Sequence, residues 1–263
     1  MCPGCQAQFW SPFRNPGRAW YEQQEQYRSD PPRLYRGYHR EFLRRLAALP
    51  PASRILDLGC GSGALVVELA RRGHEAWGVD TDRLNIEIAQ RHAPHARLFA
   101  SSLEDFLART DLPRFDVVTC FEVLEHLDDP LDFLRRVAGL LQPQGLLVLS
   151  VPSRERFWPN LYAWDFPPFH LSRWNEAALA VLFRQAGLAV GRVVYTDQYI
   201  HFKELFSGFA RPLTEPAKRV RGGYRLVALF TITLPAALLR LVTLLVPNRN
   251  GVMVTEATHA AAA

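Results

Sequence analysis

The chain has 263 residues, 48% of them hydrophobic and 22% charged, a balance that supports a packed core and excludes disordered, collagen-like and fibrous classes. Its 31 basic and 26 acidic residues leave a net charge of +5, too small an excess to specify nucleic acid by itself. Four cysteines are too few for a disulfide scaffold, so a reducing, cytoplasmic compartment is expected, and the polar, aromatic N-terminus predicts no secretory signal.

Residues 1 to about 30 mix proline, glycine and aromatics without a period and read as an arm. Leu34, Tyr38, Phe42, Leu46 and Leu49 recur at helical spacing, which predicts an amphipathic helix ending at Pro50-Pro51. Alternation follows. Strands are predicted at Arg54–Leu58, Ala76–Val79, Arg97–Ala100, Phe115–Cys120, Leu146–Val151 and Leu188–Tyr195. Helices between them are predicted at Ala64–Arg72, Thr81–Arg91, Leu103–Ala108, Leu131–Leu141 and Asn175–Ala186. Near-continuous apolar strands separated by helices indicate a doubly wound α/β sheet covered on both faces. The expected organisation is an arm and helix over 1–50, an α/β domain over 51–196 with an aromatic cap at about 153–174, and a basic and apolar helical region over 197–263.

Ile55–Gly63, reading ILDLGCGSG, joins the first strand to the first helix. Glycines suit that junction because the chain must turn sharply and let a ligand approach the backbone, while the next helix offers free N–H groups. Asp80 closes the second strand, where a carboxylate can accept both hydroxyls of a ribose. Gly59, Gly61 and Ala64 also satisfy the dinucleotide pattern, so a nicotinamide site must be weighed. Asp57, just before the turn, favours a ligand with a cationic head, such as S-adenosylmethionine, over a pyrophosphate.

These residues, with GVD at 78–80, FDVVTCFEVLEHLDDP at 115–130 and LLQPQGLLVLSVPS at 140–153, resemble the class I S-adenosylmethionine-dependent methyltransferases from about residue 35 to 195. The EVLEH segment is most similar to the ubiquinone-biosynthesis O-methyltransferases. The resemblance implies a Rossmann-like sheet of seven strands, the last antiparallel. It implies cofactor contacts from Asp57, Gly59, Cys60, Gly61, Gly63, Asp80, Thr81, Ser102, Leu103 and, through main-chain groups, Phe121. The family's acid near the adenine aligns with Ser102, beside Glu104 and Asp105. The usual Pro-Gly-Gly turn is Pro143-Gln144-Gly145 here, a mild departure.

Were 122–126 helical, Glu122, Glu125 and His126 would share one face at the carboxyl end of the sheet. Three readings are open: structural pairing, general-base catalysis by His126 or Glu122, and binding of a divalent metal by Glu122, Glu125 and His126. The metal reading follows the resemblance, because such residues are associated with a metal ion in the ubiquinone-biosynthesis group. His170 is a further base candidate, or a packed histidine, within a segment where seven aromatics fall between Phe157 and Trp174. The string DFPPF at 165–169 is similar to a signature of nucleic-acid and amino-group methyltransferases. That signature belongs directly after the fourth strand, a place taken here by Cys120–Glu125, so no nucleic-acid partner is expected.

Cys2 and Cys5 form half of a zinc ribbon, without the second pair that a closed tetrahedral site needs. Residues 226–246 are a 21-residue apolar run, preceded by Lys218, Arg219, Arg221 and Arg225 and broken by Pro235 and Arg240. The run is long enough to span a bilayer or lie in its surface, and the alternative is a soluble helix lining a dimer interface or capping the acceptor pocket. The leading expectation is an enzyme that methylates an oxygen on a small or lipid-linked acceptor, with a membrane surface met through 218–246. The alternatives are an NAD(P)-dependent oxidoreductase and a non-catalytic, membrane-associated cofactor-binding module.

Overall fold

The computed structural model describes residues 1–34, 37–155, 163–196 and 252–260. The arm contributes strand β1 (Gln8–Phe9) and helix α1 (Arg18–Tyr21), and helix α2 follows at Gly37–Leu46. Then come β2 (Arg54–Leu58), α3 (Ala64–Arg71), β3 (Glu75–Asp80), α4 (Arg83–His92), β4 (Arg97–Ala100), α5 (Leu103–Leu107) and β5 (Phe115–Phe121). The chain continues through α6 (Pro130–Leu140), β6 (Leu141–Pro152), β7 (Ser172–Arg173), α7 (Glu176–Gln185), β8 (Leu188–Thr196) and β9 (Val252–His259).

Seven strands form one sheet in the order β4-β3-β2-β5-β6-β9-β8. The first five are parallel, and β9 runs antiparallel to both β6 and β8. Alternate residues of the central strands feed two cores. Leu56, Leu58, Val118, Cys120, Leu147 and Leu149 pack beneath Phe106, Phe133, Leu134, Val137 and Phe183, which belong to α5, α6 and α7. Ile55, Val117 and Val148 pack beneath Phe42, Leu46, Leu65, Val66, Leu69 and Ile86 on α2, α3 and α4. Burial on both faces is why these strands read as continuous apolar runs.

Helix starts follow side-chain caps. Asp82 accepts from the Leu84 N–H, Ser102 from Asp105, Asp129 from Asp132 and Asn175 from Ala178, each at 2.9–3.1 Å. The Asp82 cap moves the start of α4 to Arg83, two residues beyond the predicted Thr81.

Two expectations are corrected. Residues 122–126 are not a helix: Glu122 has φ +56°, and only one 3-10 turn, Leu124–His126, follows. Within 197–263, expected to be helical, Val252–His259 is a strand, and it is the sheet's antiparallel member between β6 and β8. The apolar run at 226–246 lies outside the described residues. No helix among the described residues is long and apolar enough to cross a membrane.

Thr196 pairs with Val252, so β8 and β9 are the two arms of a hairpin whose connection is residues 197–251. β8 runs in the same direction as the parallel strands, because it and β6 are each antiparallel to β9. The connection therefore leaves and rejoins the sheet at its carboxyl end, the end that also carries the turn after β2.

Candidate active site

The turn after β2 is held by its own backbone. The N–H groups of Gly59 and Cys60 both donate to Val79 O, at 2.9 and 3.0 Å. Gly59, Gly61 and Gly63 take φ of +73°, +52° and +79°, conformations that favour glycine. A Cβ on Gly59 would meet Val123 Cγ2 at 2.5 Å, and one on Gly63 would meet Ala89 Cβ at 2.5 Å. The turn is thus pressed against the segment that follows β5 on one side and α4 on the other. Gly63 caps α3 with no side-chain acceptor, so the positive end of that helix faces the turn.

Two carboxylates border the turn. Asp57 is 4% exposed, and its Oδ1 accepts the Thr119 hydroxyl at 2.7 Å. Burial pushes its carboxyl up to about 7, a shift the Thr119 bond opposes and nearby Asp80 adds to. Asp80, at the carboxyl end of β3, accepts the N–H groups of Gly61 at 2.8 Å through Oδ2 and of Asp82 at 2.9 Å through Oδ1, so the backbone of the turn fixes its carboxylate. Burial raises its carboxyl as well.

The other residues expected at the cofactor separate into two groups. Thr81 and Leu103 begin the segments leading into α4 and α5, at the ends of β3 and β4. Ser102 Oγ is engaged within its own helix, bonding to Asp105 Oδ2 at 2.8 Å while capping α5. Cys60 is buried, with its thiol pushed well up by that burial. The Phe121 ring packs on Tyr38, His39 and Phe42 at centroid distances of 5.1–6.0 Å, leaving its main chain as the part that can meet a ligand.

Beyond Phe121 the candidate chemical residues diverge. Glu122 donates its N–H to Ser150 O at 3.0 Å, and its carboxylate accepts the Ser150 hydroxyl at 3.0 Å. A positive φ on a glutamate costs on the order of 1–3 kcal/mol and holds the side chain in a direction the relaxed chain would not choose. Glu125 and His126 turn the other way, toward His170. These three, without Glu122, are the described cluster able to hold a metal, with ligand atoms within 4.8 Å of one another. His126 Nδ1 donates to Phe169 O, and burial depresses its imidazole to about 4. His170 lies with Nε2 4.0 Å from Glu125 Oε1 and Nδ1 3.9 Å from Asp165 Oδ1.

The arm reaches both ends of this region. Arg28 pairs with Asp82 at 2.7 Å, and the Ser29 N–H donates to Ser62 Oγ at 2.9 Å. Asn15 Nδ2 donates to His126 O at 2.7 Å, Trp10 Nε1 to Asp165 O at 2.8 Å, and β1 pairs with β7. Arg28, Asn15 and Thr119 were not singled out in the sequence, and Asp165 entered only as part of the DFPPF string. Thr119 had a legible signal, as a hydroxyl inside an otherwise apolar strand. Cys2 and Cys5 are free thiols in a turn closed by Gln6 N donating to Cys2 O. Among the described residues no third metal ligand joins them.

Residues 27–193, which include the glycine turn and both carboxylates, match a known family model described as a methyltransferase domain. The chain belongs to the methyltransferase-domain family. Similar curated proteins include the ubiquinone biosynthesis O-methyltransferase of Alkalilimnicola ehrlichii, 39% identical over 104 residues, covering 38% of this chain and 42% of that protein. The mitochondrial ubiquinone biosynthesis O-methyltransferase of Schizosaccharomyces pombe is 43% identical over 105 residues, 38% of each chain. This methyltransferase domain thus matches about two-fifths of the length of each of those relatives. Among solved structures, an S-adenosylmethionine-dependent methyltransferase from Thiobacillus denitrificans in complex with S-adenosylhomocysteine superposes with a TM-score of 0.56 at 17% identity, covering 94% of this chain and all of that one. The [4+2]-cyclase SpnF superposes with a TM-score of 0.61 at 17% identity, covering 94% and 98%. Those likenesses show the fold.

Proposed function

We propose that this domain transfers the methyl group of S-adenosylmethionine to an oxygen of a small or lipid-linked acceptor. The observation that carries the reading is Asp57, a buried carboxylate bonded to Thr119 at the glycine turn, with Asp80 one strand away. A carboxylate there attracts the cofactor's ammonium and sulfonium charges and would repel a pyrophosphate, which disfavours the nicotinamide alternative. Asp80 supplies the acceptor oxygens for a ribose.

Displacement at a sulfonium methyl needs the acceptor oxygen in line. Alignment contributes roughly 7–11 kcal/mol in well-oriented systems, and a base about 10²–10⁴-fold where the acceptor must lose a proton. As the oxygen–carbon bond forms, the carbon–sulfur bond breaks, S-adenosylhomocysteine leaves, and the hydroxyl proton passes to a base. Glu122 suits that role: it is partly exposed at the carboxyl end of β5 and steered by Ser150. The depressed basicity of His126 suits it less. His170 is committed to a different cluster.

A lipid-linked acceptor and a membrane surface are supported by the basic and apolar residues of 218–246. They are supported too by the attachment of 197–251 at the carboxyl end of the sheet. The test is incubation of the full chain with methyl-labelled S-adenosylmethionine and a bacterial membrane extract. Label should enter the organic phase with the parent protein, fall about 10²–10⁴-fold with Glu122→Gln, and fall roughly 10–100-fold at sub-saturating cofactor with Asp80→Ala. Label confined to the aqueous phase would remove the lipid acceptor, and no transfer to any fraction would count against the activity.

A further inference from the structure

Cys2 and Cys5 take no part in the proposed transfer. They frame a turn of the arm that backbone closes twice: Gln6 N donates to Cys2 O at 2.9 Å, and Cys2 N to Ala7 O at 2.8 Å. In a turn closed from residue i to i+4, residues three apart are neighbours. A Cβ on Gly4 would lie 4.0 Å from Cys2 Sγ, so that sulfur folds back over the turn. The Cys5 N–H, the Cys5 thiol and the Gly4 N–H hydrogen-bond to it, which holds the Cys2 thiol below its ordinary value.

The turn is also docked on the body of the domain. Cys5 packs against the core beneath α5, α6 and α7, and Ala7 is buried. Arg154, just beyond β6, donates to Gln6 O and, at 3.2 Å, to Met1 Sδ. Both cysteines stay half-buried and within reach of a small molecule, whereas Cys60 and Cys120 are buried, with thiols pushed well up by that burial. Two thiols supply half of a tetrahedral zinc set, and no third ligand lies with them among the described residues. A disulfide, by contrast, needs only Cα atoms within about 7 Å, a separation that a tight turn imposes.

We infer that Cys2 and Cys5 form a redox-active dithiol that exchanges with low-molecular-weight disulfides of the glutathione type, with Cys2 as the attacking sulfur and Cys5 as the resolving one. The Cys2 thiolate attacks one sulfur of the small disulfide, a mixed disulfide forms, and one thiol leaves with the proton that Cys2 gave up. The Cys5 thiolate then attacks Cys2 Sγ, the Cys2–Cys5 bond forms, and the second thiol leaves with the proton from Cys5. The protein loses two electrons and two protons, and the small disulfide becomes two thiols. A four-residue ring in an accessible turn belongs to the labile, exchangeable kind of disulfide, the kind that persists in reducing compartments only transiently.

The test is equilibration of the chelator-treated full chain with mixtures of reduced and oxidised glutathione, quenched with acid, alkylated and mapped by mass. Trypsin cuts after Arg14, so both cysteines fall in one peptide, residues 1–14. As the oxidised fraction rises, that peptide should pass from two alkylated thiols to a closed form lighter by two hydrogens. Dithiothreitol should restore it fully, with Cys60 and Cys120 reduced throughout. Cys5→Ser keeps a hydroxyl to donate to Cys2 but removes the resolving thiol, so the glutathione adduct of Cys2 should accumulate. Cys2→Ser should form its adduct about tenfold more slowly at pH 7, because the remaining thiol has the smaller thiolate fraction. Two free thiols at the highest oxidised fraction, a disulfide between chains, or equal adduct rates in the two variants would each overturn the inference.

Discussion

Asp57 keeps its proton up to about pH 7 in the ligand-free chain, because burial disfavours the charged form more than the Thr119 bond favours it. Its folded pKa lies above the unfolded value of 3.8. Between those values the folded state holds more protons, and stability from this group falls as pH rises. A cationic cofactor reverses that balance by favouring the carboxylate. Affinity for S-adenosylmethionine is therefore expected to rise with pH up to about 7, with a proton released on binding below it. Calorimetry at pH 6 in two buffers of different ionisation enthalpy reads that release, and buffer-independent heats would contradict it. Thr119→Val should move the midpoint upward. Asp80→Ala removes a charged acceptor worth about 1.5–3 kcal/mol per hydrogen bond and should weaken S-adenosylhomocysteine by roughly 10–100-fold.

The elements of the sheet were legible where burial on both faces made apolar runs continuous, as in Arg54–Leu58 and Phe115–Phe121, and where Asp, Ser or Asn stood ready to cap the next helix. Residue spacing failed at Glu122–His126, because i, i+3 and i+4 counting assumes helical dihedrals that Glu122 does not adopt. It also failed at β9. Its sequence, VMVTEATH, is half polar, and its pairing partners lie about a hundred residues earlier on one side and across a long connection on the other. The glycines and both carboxylates of the candidate site were readable from local sequence. The His170–Glu125–Asp165 grouping was not, since it depends on how β7 and the arm fold over the turn after β5. Two elements offer direct checks. Asn175→Ala should cost about 1 kcal/mol by removing the α7 cap, measured by denaturant unfolding. Gly59→Ala should cost on the order of 1–3 kcal/mol and abolish cofactor binding, because its φ is +73° and Val123 occupies the space of the new methyl.

Across the whole molecule, β9 fills the gap between β6 and β8, so the strands that close the sheet are separated by 197–251 in sequence and adjacent in space. Truncation after Thr196 removes β9, strips β8 of its partner and exposes the buried edge of β6. That chain is expected to aggregate. Replacing 197–251 with an Asn-Gly turn joins two residues already paired across the hairpin and should preserve folding and S-adenosylhomocysteine binding. Flotation with liposomes should then separate the parent from the excised chain if 218–246 carries membrane affinity, and equal behaviour would remove the membrane reading. Arm, glycine turn and aromatic segment converge at the same carboxyl end of the sheet. The proposed transfer depends first on what that end binds. The most direct test is calorimetric titration of the full chain with S-adenosylmethionine, S-adenosylhomocysteine and NADH. The account predicts one-to-one, micromolar-range binding of the first two and no heat from the third. Binding of NADH alone, or of none, would contradict it.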